Sequence, residues 1–307
     1  MAEDKRNLVS QLVSPVVVVC HDAGAAHLIF AWLHDWAQSD LLKAHAFRLV
    51  LQGPAQIAWS KQSWALPQAE IYSDLDAALQ GAQFVLTGTG WASNLEHEAR
   101  RLARALHLPC VAVVDHWVNY PERFERNAEV VLPDEIWVAD AYAAAIANQA
   151  FSGVQVRELA NTYLQEQVKN IPNVSDSSRQ LLYVLEPIRM DWGRETPGEF
   201  QALDFFVAHV QLIVGNQPVE IVLRPHPSDP PHKYEDWVKR HPKLNVKIDT
   251  HPSLGDAIGQ ARWVVGAETF AMVVALAAGR QTYSSLPPWA HRCRLPHQEI
   301  VHLADLI

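Results

Sequence analysis

Residues 15–26 read Pro15-Val16-Val17-Val18-Val19-Cys20-His21-Asp22-Ala23-Gly24-Ala25-Ala26, and the segment that follows carries Leu28, Ile29, Trp32 and Leu33 at helical spacing. The valine run has no polar alternation, so it reads as a strand buried on both faces. A small-residue turn and an amphipathic helix after such a strand make the opening of a βαβ unit, the repeat of a parallel sheet.

The same unit recurs downstream. Residues 47–51 read as a second strand, ended by Gly53-Pro54. Residues 83–87 read as another, leading through Gly88-Thr89-Gly90 into a helix with the apolar stripe Leu95, Ala99, Leu102, Ala103 and Leu106. The opposite face of that helix, Glu96, Glu98, Arg100, Arg101 and Arg104, is expected to be solvated. Residues 111–114 form the next strand, which ends in Asp115-His116-Trp117. A short strand over 132–138 precedes an alanine-rich helix over 141–151.

Between 162 and 179 the pattern turns polar and irregular, with Asn170-Ile171-Pro172-Asn173 and Ser175-Asp176-Ser177-Ser178. It then restarts: strands over 181–185, 219–223 and 262–265, and helices over 197–214 and 270–278, the last stopped by Gly279. With 307 residues, two domains are expected. The reading is an α/β chain of two Rossmann-like domains facing a central cleft, 1–160 and 180–307, joined by a linker over 161–179.

Bulk properties narrow the function. The formal charge of -9 and the lack of a basic run argue against a nucleic-acid partner. Cys20, Cys110 and Cys293 are odd in number and widely separated, which suggests neither a disulfide framework nor a zinc site. The apolar run 16–20 is too short for a signal peptide or a membrane span. A reducing, cytoplasmic setting without a membrane span is therefore expected. Among the fifteen histidines there is no His-Glu-x-x-His spacing, and neither a Gly-x-Ser-x-Gly elbow nor a Walker A loop occurs.

In open parallel sheets ligands bind beyond the carboxyl ends of the strands. Four such places carry chemistry. Arg224-Pro225-His226-Pro227 follows the strand over 219–223; its prolines stiffen the exit, and an arginine with an imidazole suits a phosphate, although a proline-rich surface turn would read alike. Gly266-Ala267-Glu268-Thr269 sits between strand and helix. Its amides suit an anion and the Glu268 carboxylate suits ribose hydroxyls, while a plain Thr269 N-cap is the alternative.

Gly88-Thr89-Gly90 partly matches a dinucleotide fingerprint, with Ser93 at the third glycine position. Together with Gly24 it offers a close backbone approach to an acceptor or sugar. Asp22, Asp115 and His116 put ionisable groups at strand ends of the first domain, where one would act as general base. Against that, Asp115 would also serve as a turn cap and His116 would pack beside Trp117. Trp289, after Pro287-Pro288, is suited to stacking on a base or sugar, while core or cleft packing is the alternative for it as for most of the eleven tryptophans.

Arg224-Pro225-His226-Pro227, followed some forty residues later by Gly266-Ala267-Glu268-Thr269 and a helix, resembles the donor site of GT-B glycosyltransferases. The likeness is to bacterial enzymes of surface polysaccharide synthesis, including sialyltransferase-like and glycerophosphate-transferase-like families. It covers about the last 130 residues by motif and the first half by its βαβ order. The resemblance implies that Arg224 and His226 contact the donor phosphate, that Pro227, Gly266, Glu268 and Thr269 line the nucleotide site, and that the base comes from the other domain. Ser284-Ser285 resembles the serine motif of those families. Their Asp-Asp-Gly or Glu-Asp-Gly element has no counterpart here, so the base stays open among Asp22, Asp115 and His116.

The expected activity is thus an inverting glycosyltransferase, independent of metal and cofactor. It would move a sugar from a nucleotide-sugar, possibly CMP-linked by resemblance, to a glycan or other hydroxyl acceptor held near Gly24 and the 88–90 turn. A nucleotide-sugar epimerase or hydrolase, and a non-catalytic nucleotide-sugar-binding protein, are the alternatives.

Overall fold

The computed structural model describes residues 5–175, 177–188 and 190–307. Met1 and Asp176, which the sequence reading assigns to the first domain and the linker, lie outside them. The chain divides into two compact units, Met1–Tyr163 and Leu164–Ile307.

In the first unit the elements run α1 (Lys5–Gln11), β1 (Val16–Cys20), α2 (Ala23–Gln38), β2 (Phe47–Leu51), α3 (Gly53–Ser60), β3 (Ala69–Ile71), α4 (Leu75–Leu79), β4 (Phe84–Thr87), α5 (Leu95–Ala105), β5 (Cys110–Val113), α6 (Tyr120–Phe124), β6 (Glu125–Arg126), β7 (Glu129–Val130), β8 (Glu135–Val138), α7 (Ala141–Ala150) and β9 (Gln155–Glu158). The sheet order is β3-β2-β1-β4-β5-β8-β9, and every pair in it is parallel. β1 is buried along its whole length because helices cover both faces. Val16, Val18 and Cys20 pack with Trp32, Trp36 and Trp137, and Val17 and Val19 with Leu79, Ala99 and Ala103. Each such valine contributes on the order of 2 kcal/mol.

The unit boundary falls within α8 (Thr162–Val168), so the first seven residues of the polar stretch form a helix rather than an irregular linker. The second unit continues with β10 (Gln180–Val184), α9 (Gly198–Val214), β11 (Glu220–Arg224), α10 (Glu235–Arg240), β12 (Val246–Ile248), α11 (Leu254–Gln260), β13 (Ala261–Gly266), α12 (Phe270–Ala277), β14 (Gln281–Ser284) and β15 (Val301–His302). Its parallel sheet has the order β12-β11-β10-β13-β14-β15. Tyr183, Phe206, Trp237 and Trp263 anchor one face of its core. Gly279, at φ +76°, takes the left-handed turn that ends α12.

Each sheet is a Rossmann-like half whose strand order reverses once, at β1/β4 and at β10/β13. The chain is an α/β protein of two Rossmann-like domains. Among its described residues no helix is long and apolar enough to cross a membrane.

The polar face of α5 is not solvated throughout as the sequence suggests. Glu96 and Arg100 are fully buried, whereas Glu98 and Arg101 pair at the surface. The expected stripe also ends early, since Leu106 is the C-cap and is exposed. Helical periodicity sees one amphipathic face. It does not see the turns after β1 and β4, which lie over the N-terminal end of α5 and need polar partners for their main chain. Gly53-Pro54 likewise does more than end β2: it starts α3, with proline in the first turn.

Candidate functional site

The structure gathers the sequence-derived residues at two places, the carboxyl end of each sheet where its strand order reverses. In the first unit Asp22 and Gly24 follow β1, Gly88-Thr89-Gly90 follows β4, and Asp115 and His116 follow β5; these three strands are neighbours. In the second unit Arg224, His226 and Pro227 lie at the end of β11, Gly266, Glu268 and Thr269 at the end of β13, and Ser284 and Ser285 at the end of β14. β10 stands between the first two groups.

In the first unit the glycines are required by contact. A Cβ on Gly24 would stand 1.7 Å from Asp115 Oδ2. One on Gly88 would stand 2.6 Å from Glu96 Oε1, and one on Gly90 would stand 2.6 Å from Asp22 Cβ and 3.0 Å from Glu96 Oε2. The turns are glycine-rich because carboxyl groups press against them.

Asp115 accepts from Arg123 Nη1 at 2.8 Å, and the same nitrogen donates to Thr89 Oγ1 at 3.1 Å. Thr89 in turn donates to the Val113 carbonyl at 2.9 Å, tying the β4 turn to β5. His116 packs tilted beside Trp117, ring centroids 5.2 Å apart. Asp22 is the N-cap residue of α2, but its side chain makes no capping bond. Burial, then the charge of Asp115, raises its carboxyl above the ordinary value.

Sequence reasoning missed Glu96. Its Oε1 accepts from the main-chain N–H groups of His21, at 3.0 Å, and Asp22, at 3.5 Å. Burial pushes its carboxyl up to about 7, against those hydrogen bonds. Arg100, one turn on, gives its guanidinium to the carbonyls of Gly88, Arg123 and Val131.

In the second unit the Arg224 guanidinium is held by the buried Asp249 carboxylate and by the His251 carbonyl. Burial alone would raise Asp249, but hydrogen bonds from His251 and Arg224 hold it below the usual carboxylate range. The 225–229 turn closes on itself. The His226 N–H donates to Asp229 Oδ2 at 2.9 Å, and the Ser228 N–H donates to His226 Nδ1 at 3.1 Å. Because a main-chain N–H can only donate, Nδ1 is the acceptor and the neutral ring carries its proton on Nε2. Asp229, also missed in the sequence, accepts from Tyr234 and Lys233 as well and is almost wholly buried.

Gly266 admits no Cβ, which would meet Val184 and the Met272 sulfur at 2.9 Å. Thr269 caps α12, accepting from the Ala271 N–H at 3.4 Å. The carboxylate of Glu268 is engaged within the unit. It accepts from the Arg294 guanidinium, from the Arg294 N–H at 3.1 Å and from His291 Nε2 at 3.0 Å. Burial pushes the other way, yet these donors hold it below its ordinary range.

The hydroxyls of Ser284 and Ser285 are buried and donate to the carbonyls of Ala267 and Gly266, so they brace the 266–269 turn. Glu186, two residues after β10, accepts from the Glu268 N–H at 2.6 Å. Burial, then the charge of Glu268, pushes it up to about 7 against that hydrogen bond. Its position immediately after a strand was a signal that could have found it. Trp289 donates to Gln201 Oε1 at 2.8 Å and lies under the Arg194 guanidinium at 3.8 Å, bordering a cavity of about 690 Å³ with Phe205.

No protein-family model matches the chain, and no curated protein matches it in sequence. Solved structures do. A UDP-GlcNAc 2-epimerase from Neisseria meningitidis, solved with UDP-GlcNAc, is similar at 11% identity and TM-score 0.55, over 88% of this chain and 82% of that one. The UDP-N-acetylglucosamine 2-epimerase of Rickettsia bellii gives 10% and 0.55, over 88% and 78%. A glycosyltransferase from Rickettsia africae gives 8% and 0.52, over 90% and 80%. At such identities the likeness is one of fold, the GT-B-like arrangement of two Rossmann-like domains in one chain.

Proposed function

We propose that the protein is a GT-B-type glycosyltransferase acting on a nucleotide-sugar, with the donor held by the second unit and the acceptor hydroxyl by the first. The observation that carries this reading is the strand-end turn of β11, where His226 is fixed through Nδ1 and so offers an N–H at Nε2. Such a donor, with the N-terminus of α12 two strands away, suits the phosphate of a nucleotide.

In this reading the anomeric C–O bond to phosphate breaks and the nucleotide leaves with the electron pair. The developing charge is met by His226 Nε2–H and the α12 amides, so no metal is called for. The acceptor oxygen attacks from the opposite face, which inverts the anomeric centre, and its proton passes to a carboxylate of the first unit. Asp22 fits that role better than Asp115, because Arg123 already holds Asp115, whereas Asp22 is spared from capping and is made more basic by its surroundings. Glu268 serves the donor turn by fixing Arg294, and Arg224 by anchoring the β11 exit to Asp249.

The assay is product formation from nucleotide-sugars with a panel of hydroxyl acceptors. Asp22→Asn is expected to lower turnover by about 10²-fold to 10⁴-fold, with the donor still bound. Undiminished turnover would remove Asp22 from the reaction.

A second reading, a nucleotide-sugar epimerase or hydrolase, is favoured by the carboxyl-rich first unit and by the fold shared with two 2-epimerases. Incubating a nucleotide-sugar without acceptor separates the two: an epimerised or hydrolysed sugar supports the second reading, and an unchanged donor supports the first.

A further inference from the structure

The α5 carboxyl beneath the first-unit turns is not used by the reaction above, yet the site is built around it. Glu96 is fully buried, and its Oε2 has no hydrogen-bond partner. Both oxygens lie against glycines: a Cβ would stand 2.6 Å from Oε1 at Gly88 and 3.0 Å from Oε2 at Gly90. Around Gly90 the carboxyls of Glu96 and Asp22 converge, since a Cβ there would lie 3.0 Å from Glu96 Oε2 and 3.2 Å from Asp22 Oδ2.

We infer that Glu96 is the positioning residue of the first-unit site: it fixes the His21–Asp22 main chain through Oε1, and a proton held on Oε2 sets the charge beside which Asp22 acts. The inference rests on the reading of Asp22 as the base.

Two amide donors satisfy Oε1, whereas an ionised Oε2 would be a charge in a dry seat without a partner, and that costs more than keeping the proton. The groups facing this carboxyl are few. Among the described residues they are Cys20 and Asp22 from β1 and its turn, with the main-chain N–H of His21, and Arg100 from α5 itself. Asp115 follows β5, with Arg123 of α6 and Arg126 of β6 behind it. The three arginines spend hydrogen bonds on carbonyls or on Asp115. The charge of Asp22, once ionised, adds to burial in keeping the proton on Glu96.

The test is a titration of the side-chain carboxyl ¹³C signals of the full chain labelled at Asp and Glu, followed beside the pH profile of kcat/KM. In the wild type Glu96 titrates near 7 and the Asp22 signal shows a second, smaller step at the same pH. Glu96→Gln keeps an acceptor for the His21 and Asp22 amides, so the fold stands; the second Asp22 step vanishes, and with it the near-neutral step in kcat/KM. Asp22→Asn, which also folds, lowers the Glu96 midpoint.

Glu96 titrating in the ordinary glutamate range, or an Asp22 signal blind to Glu96→Gln, overturns the inference. Coupled signals without any turnover would instead overturn Asp22 as the base while leaving the carboxyl pair standing.

Discussion

Glu186 accepts a hydrogen bond from the main-chain N–H of Glu268 at 2.6 Å, joining the exits of β10 and β13 where the second sheet reverses its order. Glu96 does the corresponding thing in the first unit, holding the exit of β1 from the helix that follows β4. Each sheet thus closes its reversal point with a carboxyl bonded to a main-chain amide, fully buried in Glu96 and partly buried in Glu186. Both carboxyls are pushed up to about 7.

These two acids predict how stability depends on pH. A carboxyl raised in the folded state favours the fold fully below its unfolded value and loses that contribution as pH rises through the folded one. The window runs from about 4.5 to about 7 for both groups. For Glu96, at about 1.4 kcal/mol per pH unit, the loss is on the order of 3 kcal/mol. Melting temperature should fall across that window in the wild type and more shallowly in Glu96→Gln and Glu186→Gln. Parallel curves would show that neither acid is raised.

Gly24→Ala should disrupt the first-unit site, because its Cβ would stand 1.7 Å from Asp115 Oδ2. Asp115 must move and release Arg123, and breaking a buried pair of this kind costs about 3–5 kcal/mol. Gly153→Ala, where a Cβ meets nothing within 4 Å, is the control and should be near neutral. Urea denaturation of both variants measures the difference; equal midpoints would contradict the packing described.

Asp229→Ala removes the acceptor of the His226 N–H, the Tyr234 hydroxyl and the Lys233 ammonium. Lys233 keeps Glu199, but leaving the His226 N–H and the Tyr234 hydroxyl unpaired should cost about 3 kcal/mol and unfix the His226 turn, so nucleotide binding weakens along with stability. Asp236→Ala, an exposed acid on α10, should change neither. Calorimetric binding and melting of both variants make the check.

The central strands were legible because both faces are covered: β1 and β5 are apolar throughout, and β4, β10, β11 and β13 each hold an apolar run of three or four residues bounded by a polar one. β3 (Ala69–Ile71) and β12 (Val246–Ile248) were not, since three-residue edge strands with exposed side chains carry neither a run nor an alternation. The site residues at strand ends followed from topology once the βαβ order was read. Glu96 did not, because its partners His21 and Asp22 lie some 75 positions away, and no local pattern separates a glutamate that caps a distant turn from one that meets water. Glu268 was legible as a strand-end carboxylate, but its engagement by Arg294 and His291 depends on a segment of no regular structure returning to the sheet.

A nucleotide site built on His226 in the second unit is put to the test by a thermal-shift panel of CMP, CDP, UMP, UDP, GDP, ADP and NAD on the wild type and on His226→Ala. A ligand that binds only the folded chain raises its melting temperature, by about 2.7 kcal/mol of stabilisation at a hundred times Kd. A rise with one nucleotide family, lost in His226→Ala, is the expected result. No rise with any of them, or a rise that His226→Ala leaves unchanged, would contradict it.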